Sequence, residues 1–354
     1  MKLFLIVNSG FEELCSKEVK ELIGKETKIN HSVLEVDVDK QEAIDLAYHL
    51  QSARRILVAF ESVSDFNQLE VGKVELKDLF TSELSFKVEI ENVKGNDNRL
   101  AIAKVVAGKI FASLDKLEIS PKLELKKPDS YVIVYFNGKD YFVGLDLVGK
   151  EINNREYRIF TSPASFKGDL AYHFVRVSRF ESGQKLLVGL AKDGTIAIEA
   201  AIFANYVCTL GGEKYSFNRV PLFSGLSSSL DKKQITKVFS VDTTMQNVTA
   251  TRKNSILAGT RDLLEVQKYA LDEWDVKFNE KEFDCIIAQI TSKDEEKLNE
   301  LYYQTSYLLK SGGMLLLIGR KNWELTISSK FKLVEEKEII RGESAHKYCL
   351  LKRQ

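Results

Sequence analysis

The stretch from Lys185 to Ala201 constrains this 354-residue chain more than any other. Leu186, Leu187 and Val188 form an apolar run of strand length, and Lys192-Asp193-Gly194 breaks it. Thr195 then opens Ile196-Ala197-Ile198-Glu199-Ala200-Ala201, which suits a buried helix. The strand–turn–helix pattern does not stand alone. Extended runs recur at 185–190, 237–241, 263–267, 283–288 and 314–318, with helical segments between them. Such alternation predicts a mostly parallel sheet with helices on both faces, because parallel neighbours need a crossover. Ser311-Gly312-Gly313 is the turn into the strand at 314–318, and runs at 331–336 and 346–352 predict a closing antiparallel hairpin. Residues 211–236, with Gly211-Gly212, Pro221, Gly225 and Ser227-Ser228-Ser229, read as an irregular insertion.

The length suits two or three domains, and 44% hydrophobic residues suffice for packed cores. Lys and Arg number 51 and Asp and Glu also 51, so no global basicity advertises nucleic acid, and any RNA site must be a local patch. Cys15, Cys208, Cys285 and Cys349 lie far apart without a CxxC pair or nearby histidines. That spacing argues against a metal site and a disulfide framework and suits a reducing compartment. The apolar opening run, Met1 to Val7, is one strand long and too short for a signal sequence or a membrane span. A cytoplasmic protein without a membrane association is the expectation. His31, His49, His173 and His346 are scattered, with His173 at helical spacing within 169–180. No GxGxxG or GxxxxGK[ST] pattern occurs.

The N-terminal part reads strand (2–7), helix after Ser9 with a capping-box partner at Glu12 and a stop at Gly24, strand (33–38), helix capped by Asp39 through Leu50, strand (54–63). This is a ferredoxin-like pattern. A second set follows: a strand at 84–90 and a helix at 98–114 with Leu100, Val105, Val106 and Ile110 inward. Strands at 131–136 and 140–145 flank Asn137-Gly138, a pair suited to a type I′ hairpin turn.

Several motifs in this order resemble a known family. Gly10-Phe11-Glu12-Glu13-Leu14 is similar to an opening "G-L-E-E-L", and Val143-Gly144-Leu145-Asp146 through Arg155-Glu156-Tyr157-Arg158 to a junction ending "R-G-Y-R", with Glu156 where glycine is usual. Ser162-Pro163-Ala164-Ser165-Phe166-Lys167 resembles "H-P-A-P-L-K". Leu187 to Ile196 lies where that family has "L-D-P-F-C-G-S-G-T-I", and Gln289-Ile290-Thr291-Ser292 where it has "N-P-P-Y". These are features of THUMP-containing RNA methyltransferases, above all the archaeal and eukaryotic tRNA guanine-N2 branch. The resemblance implies a Rossmann-like methyltransferase domain at 161–354, preceded by a ferredoxin-like domain at 1–65 and a THUMP domain at 66–160.

The same resemblance assigns roles position by position. For S-adenosylmethionine, Gly194 and Thr195 survive in the cofactor loop, while Val188, Lys192 and Asp193 replace the family's acid, glycine and serine. Asp242 matches the acid that accepts the ribose hydroxyls, although it also suits an N-cap of the following helix. Tyr269-Ala270 matches an Asp-Ala pair at the adenine, leaving Ala270 as the retained position and Asp272 as a substitute acceptor. Gln289 stands for the Asn that orients the target amine, and the ring that would stack on a flipped base is lost. Each position has a plainer reading, as a tight turn or a polar strand end.

For RNA, the resemblance points to Lys87, Arg99, Lys104, Lys109, Lys126 and Lys127, with Arg155 and Arg158 at the junction. Acidic residues interleave with them, which also fits an ordinary solvated surface. Two readings follow: a tRNA-binding protein that keeps the fold as a scaffold or partner subunit without catalysis or cofactor, or a divergent tRNA (guanine-N2) methyltransferase that still uses S-adenosylmethionine.

Overall fold

The computed structural model describes residues 1–71, 75–210, 215–231, 235–290, 294–341 and 344–354. The chain forms two compact units, Met1–Asn153 with Gly212–Leu230, and Asn154–Gly211 with Asp231–Gln354.

The first unit is built on one eight-stranded sheet, in the order β2-β3-β1-β4-β8-β7-β5-β6. Its first part runs β1 (Lys2–Val7), α1 (Glu12–Ile23), β2 (Lys28–Asn30), β3 (Val33–Asp37), α2 (Lys40–His49) and β4 (Ala53–Val63). β1 lies between β3 and β4, antiparallel to both, and this order is the ferredoxin-like arrangement. Asp39 caps α2 through a reciprocal pair with Glu42. The cap expected at Ser9 does not form. Phe11 occupies the N-cap of α1, and Glu12 accepts a hydrogen bond from the Gly10 N–H instead.

β5 (Ser85–Glu91), α3 (Asn96–Asp115), β6 (Lys122–Leu123), β7 (Ser130–Phe136) and β8 (Tyr141–Asp146) extend the sheet by antiparallel pairing of β8 with β4. Strands from 1–65 and 66–160 therefore share hydrogen bonds and a core, in which Phe4 meets Phe142 edge to face at 5.1 Å. In α3 the inward stripe is Val106, Ile110 and Leu114, whereas Leu100 and Val105, expected inward, lie off that i, i+4 line and are exposed. The Asn137-Gly138 hairpin is a four-residue loop rather than a two-residue I′ turn. Only Gly138 of the pair has positive φ, and the Asn137 side chain accepts from the Lys139 and Asp140 N–H groups.

The insertion belongs to this unit. Tyr215, Phe217, Val220 and Phe223 are buried, with Phe217 against Tyr48. Ser229 donates to Asp45 through backbone and hydroxyl.

The second unit runs α4 (Gly168–Val177), β9 (Leu186–Gly189), α5 (Thr195–Asn205), β10 (Val238–Asp242), α6 (Met245–Leu257), β11 (Leu264–Lys268), α7 (Trp274–Lys277), β12 (Phe283–Gln289), α8 (Glu295–Leu308), β13 (Leu309–Arg320), β14 (Phe331–Arg341) and β15 (Ser344–Arg353). The sheet order is β11-β10-β9-β12-β13-β15-β14, with the first five strands parallel and β15 antiparallel to both neighbours. Strand alternation puts Leu187, Ile286, Ala288, Leu315 and Leu317 in one core with Trp274 of α7 and Leu301 and Tyr302 of α8. Helices α4 and α5 pack together, as do α5 and α6. The chain leaves β9 towards β10 on one side and later returns to β12 on the other. Between these two strands lies a topological switch point, where open α/β sheets form their crevice. Among the described residues no helix is long and apolar enough to cross a membrane.

Candidate functional site

The crevice beyond the strand ends is a cleft of about 680 Å³. Leu190 and Lys192 from the loop after β9, Thr243 after β10, Asp272 before α7, Ile290 after β12 and the first turns of α8 line it. Its walls combine leucine and isoleucine side chains with the acids Asp294, Glu296 and Glu300 of the α8 region and with Lys297, which pairs with Asp294 at 3.4 Å. Asp294 also caps α8, accepting from the Glu296 and Lys297 N–H groups, and these bonds hold its carboxyl below the usual range. The acidic wall was not anticipated. Its signal was available in Asp294-Glu295-Glu296 and in the one-turn spacing of Glu296 and Glu300.

The loop after β9 turns through three left-handed residues, Leu190 (φ 54°), Lys192 (φ 56°) and Gly194 (φ 79°). Gly194 is required there twice over, because a Cβ would also run into Thr251 of α6. Asp193 is buried just before Gly194, the N-cap of α5, and its Oδ1 accepts from the Thr195 hydroxyl at 2.8 Å and N–H at 3.3 Å. Thr195 is thereby occupied within the turn. Val188 is a buried residue flanked in register by Ser240 and Ile287, and it brings no charge to the strand end.

Asp242 is held by the protein itself. Its Oδ2 accepts from the Lys192 N–H at 3.0 Å, and its Oδ1 from the Thr244 N–H, the Thr244 hydroxyl and the Asn247 amide. Three of these four donors crowd Oδ1, while Oδ2 accepts one. It is not the N-cap of α6, because Thr244 takes that position. Ala270 is exposed, with its N–H donated to Glu273, while Tyr269 packs edge-on against Phe278.

Gln289 ends β12 and is buried, with its Nε2 donating to the Ala164 carbonyl at 2.7 Å. The next N–H, of Ile290, donates to Ile318 at 2.8 Å. Thr291 and Ser292 lie outside the described residues.

Of the residues expected to face RNA, Arg99, Lys104, Lys126 and Lys127 are exposed. Lys87 pairs with Glu89 at 2.7 Å, and Lys109 reaches the Leu69 carbonyl at 2.8 Å. Arg158 is half-buried and donates to Ser165. Arg155 is misplaced by the expectation of a basic surface. It is buried, and its Nε and Nη2 hold both oxygens of Glu199 at 2.8 and 3.0 Å. A charge consumed in this way does not reach a ligand. His173, expected on a helix surface or in the core, is partly buried against Phe174 and Tyr348. No cluster of His, Cys, Asp or Glu with metal-binding geometry occurs among the described residues.

A parallel sheet with its switch point at β9, an antiparallel β15 insertion and a loop–acid pair at the strand ends define the methyltransferase class of Rossmann-like folds. Residues 155–347 match the family described as UPF0020, RMKL-like methyltransferase domain, and the chain belongs to that family. Among solved structures, the chain is similar to TrmN from Thermus thermophilus, at 17% identity and a TM-score of 0.71, covering 100% of this chain and 99% of that one. It is similar also to a possible methylase from Clostridium difficile 630 (15% identity, 100% and 98% covered, TM-score 0.70). A third is SMU.472, a putative methyltransferase complexed with SAH (16% identity, 100% and 98% covered, TM-score 0.72).

Proposed function

We propose that this protein binds tRNA and has lost, or almost lost, the methyl transfer of its family. The observation that carries the second half is the pairing of Lys192 with Asp242. The acid that would take the ribose hydroxyls already accepts four protein donors, one of them the Lys192 N–H. Lys192 lines the cleft that a sulfonium would enter, and its cation there opposes a like charge. Buried Val188 offers no carboxylate to the methionine end. The amide of Gln289 is tied to Ala164, although a target amine would need its carbonyl and a stiff turn. These residues do not fit S-adenosylmethionine.

For RNA, support comes from the THUMP resemblance of residues 66–160 and from the exposed Arg99, Lys104, Lys126 and Lys127. The tRNA guanine-N2 branch supplies the lineage. A scaffold or partner-subunit role follows from keeping the fold without its chemistry.

Two observations favour the active alternative. Glu296 and Glu300 in the cleft wall suit a cationic ligand, and the similar SMU.472 structure was obtained with SAH. Calorimetric titration with S-adenosylmethionine separates the readings, together with fluorescence anisotropy on bulk tRNA. The expected result is tRNA binding without cofactor heat. A low-micromolar cofactor affinity, or labelled methyl groups in tRNA, would overturn the loss of catalysis. An absence of tRNA binding at low salt would overturn the rest.

A further inference from the structure

Ile159 and Phe160 are adjacent and exposed, at 65% and 39%, in the segment that precedes α4. One exposed apolar residue is unremarkable, but here two large ones stand together on a backbone that the protein fixes firmly. Asn254 of α6 is fully buried, and it accepts the Phe160 N–H at 3.1 Å while donating to the Phe160 carbonyl at 3.0 Å. Its amide donates also to the Asp193 carbonyl at 3.0 Å, so one side chain locks Phe160 to the loop after β9. Four residues further on, Gln289 holds the Ala164 carbonyl. The segment bearing Phe160 is thus pinned both from the loop after β9 and from the end of β12.

One cation stands at the ring. The Lys253 ammonium lies 4.6 Å from the ring centroid, and Arg158 is two residues away, its guanidinium turned to Ser165. An exposed aromatic on a fixed backbone with a cation beside it is an arrangement that single-stranded nucleic acids use, with a base stacking on the ring and a phosphate meeting the cation.

We propose that Phe160 is a stacking platform for an unpaired RNA base, which takes one face of the ring while Lys253, over the other, meets the adjoining phosphate. It supplies, from a different segment, an aromatic surface that Ser292 does not provide. The inference rests on the RNA-binding half of the proposed function and is independent of methyl transfer.

The test uses the full chain with two probes, bulk tRNA and a short single-stranded oligoribonucleotide carrying 2-aminopurine. Wild-type protein should bind both and quench the 2-aminopurine fluorescence by stacking. Phe160→Ala should weaken binding by about 5- to 100-fold and abolish the quench while leaving the salt dependence unchanged. Phe160→Tyr should restore both. Lys253→Ala should lower the salt slope by about one instead. Because residue 160 is exposed, a thermal melt of each variant checks that the fold is kept. If wild-type protein binds tRNA and Phe160→Ala binds equally well, Phe160 is not a platform, though the RNA reading stands. If wild-type protein binds neither probe, both readings fall. A dimer that Phe160→Ala turns into a monomer, with RNA binding intact, would make the pair a self-association surface and overturn the proposal.

Discussion

Arg155 and Glu199 form a two-bond ion pair in the interior of the second unit, with both side chains at 0% exposure. Tyr157 donates its hydroxyl to the same carboxylate at 2.7 Å, and burial followed by the Glu199 charge pushes its phenol well above the ordinary range. The junction motif and helix α5 are therefore two halves of one polar cluster. Gly168 lets them close, since a Cβ there would come within 2.6 Å of the Arg155 side chain. Removing one partner strands a buried charge, which costs about 3–5 kcal/mol. Arg155→Ala should lose that much in urea unfolding. A loss under about 1 kcal/mol would show the pair to be incidental.

The insertion sets the limits of the N-terminal unit. Phe217 and Phe223 are buried in it, and Phe217 and Ser216 donate backbone N–H groups to Leu147 and Val148. A fragment ending at residue 153 lacks those side chains. It should melt earlier and less cooperatively than the same unit in the whole chain. In the full-length protein, Phe223→Ala should cost about 3–5 kcal/mol. Equal stability of fragment and whole would remove the insertion from the core.

The basic surface has a narrower footprint than the sequence implied. Lys126 and Lys127 are exposed, whereas Arg155 is committed to Glu199. Replacing Lys126 and Lys127 with alanine should weaken tRNA binding and reduce the slope of log affinity against log salt by about two, with little change in stability. An unaltered slope would move the phosphate contacts elsewhere.

His173 gives the protein an acid-sensitive point. Burial, and then the Lys337 charge, lower its imidazole to about 4 from 6.5. The folded state therefore favours neutral histidine. That contribution is whole above pH 6.5 and is lost as the pH falls through 4, a difference of up to about 3 kcal/mol. His173→Gln should flatten stability between pH 6.5 and 4 while wild-type protein declines there. Parallel curves for the two proteins would assign the acid limb to other groups.

Strand positions in both units were legible because period-two burial and short apolar runs write them directly into the sequence. The five runs from 185 to 318 all became parallel strands of one sheet. What the sequence hid was partnership. Arg155 looked like a surface cation because its partner Glu199 lies 44 residues away, and no local spacing announces such a pair. Asp242 looked like either a ligand acid or a cap. The Lys192 N–H that bonds its second oxygen becomes visible only when the left-handed turn at 190–194 has folded. Likewise, Leu100 and Val105 are apolar residues in a helix whose inward stripe passes them by.

The last prediction concerns the end of β12. Restoring Asn-Pro-Pro-Tyr at 289–292 should produce no methyl transfer, and the structure adds two physical reasons to the lost acid at Val188 and the cation at Lys192. Gln289 reaches the Ala164 carbonyl at 2.7 Å, and asparagine is one methylene shorter, so the pin on that segment is released. Proline at 290 deletes the N–H that Ile290 donates to Ile318 at 2.8 Å, between neighbouring strands, leaving a carbonyl without its donor. The graft should therefore be inactive towards labelled S-adenosylmethionine and bulk tRNA, and also less stable by about 1–3 kcal/mol. A graft that keeps wild-type stability would dispute both hydrogen bonds. A native protein that transfers label, and loses that activity on Gln289→Ala, would show Gln289 to be a catalytic residue.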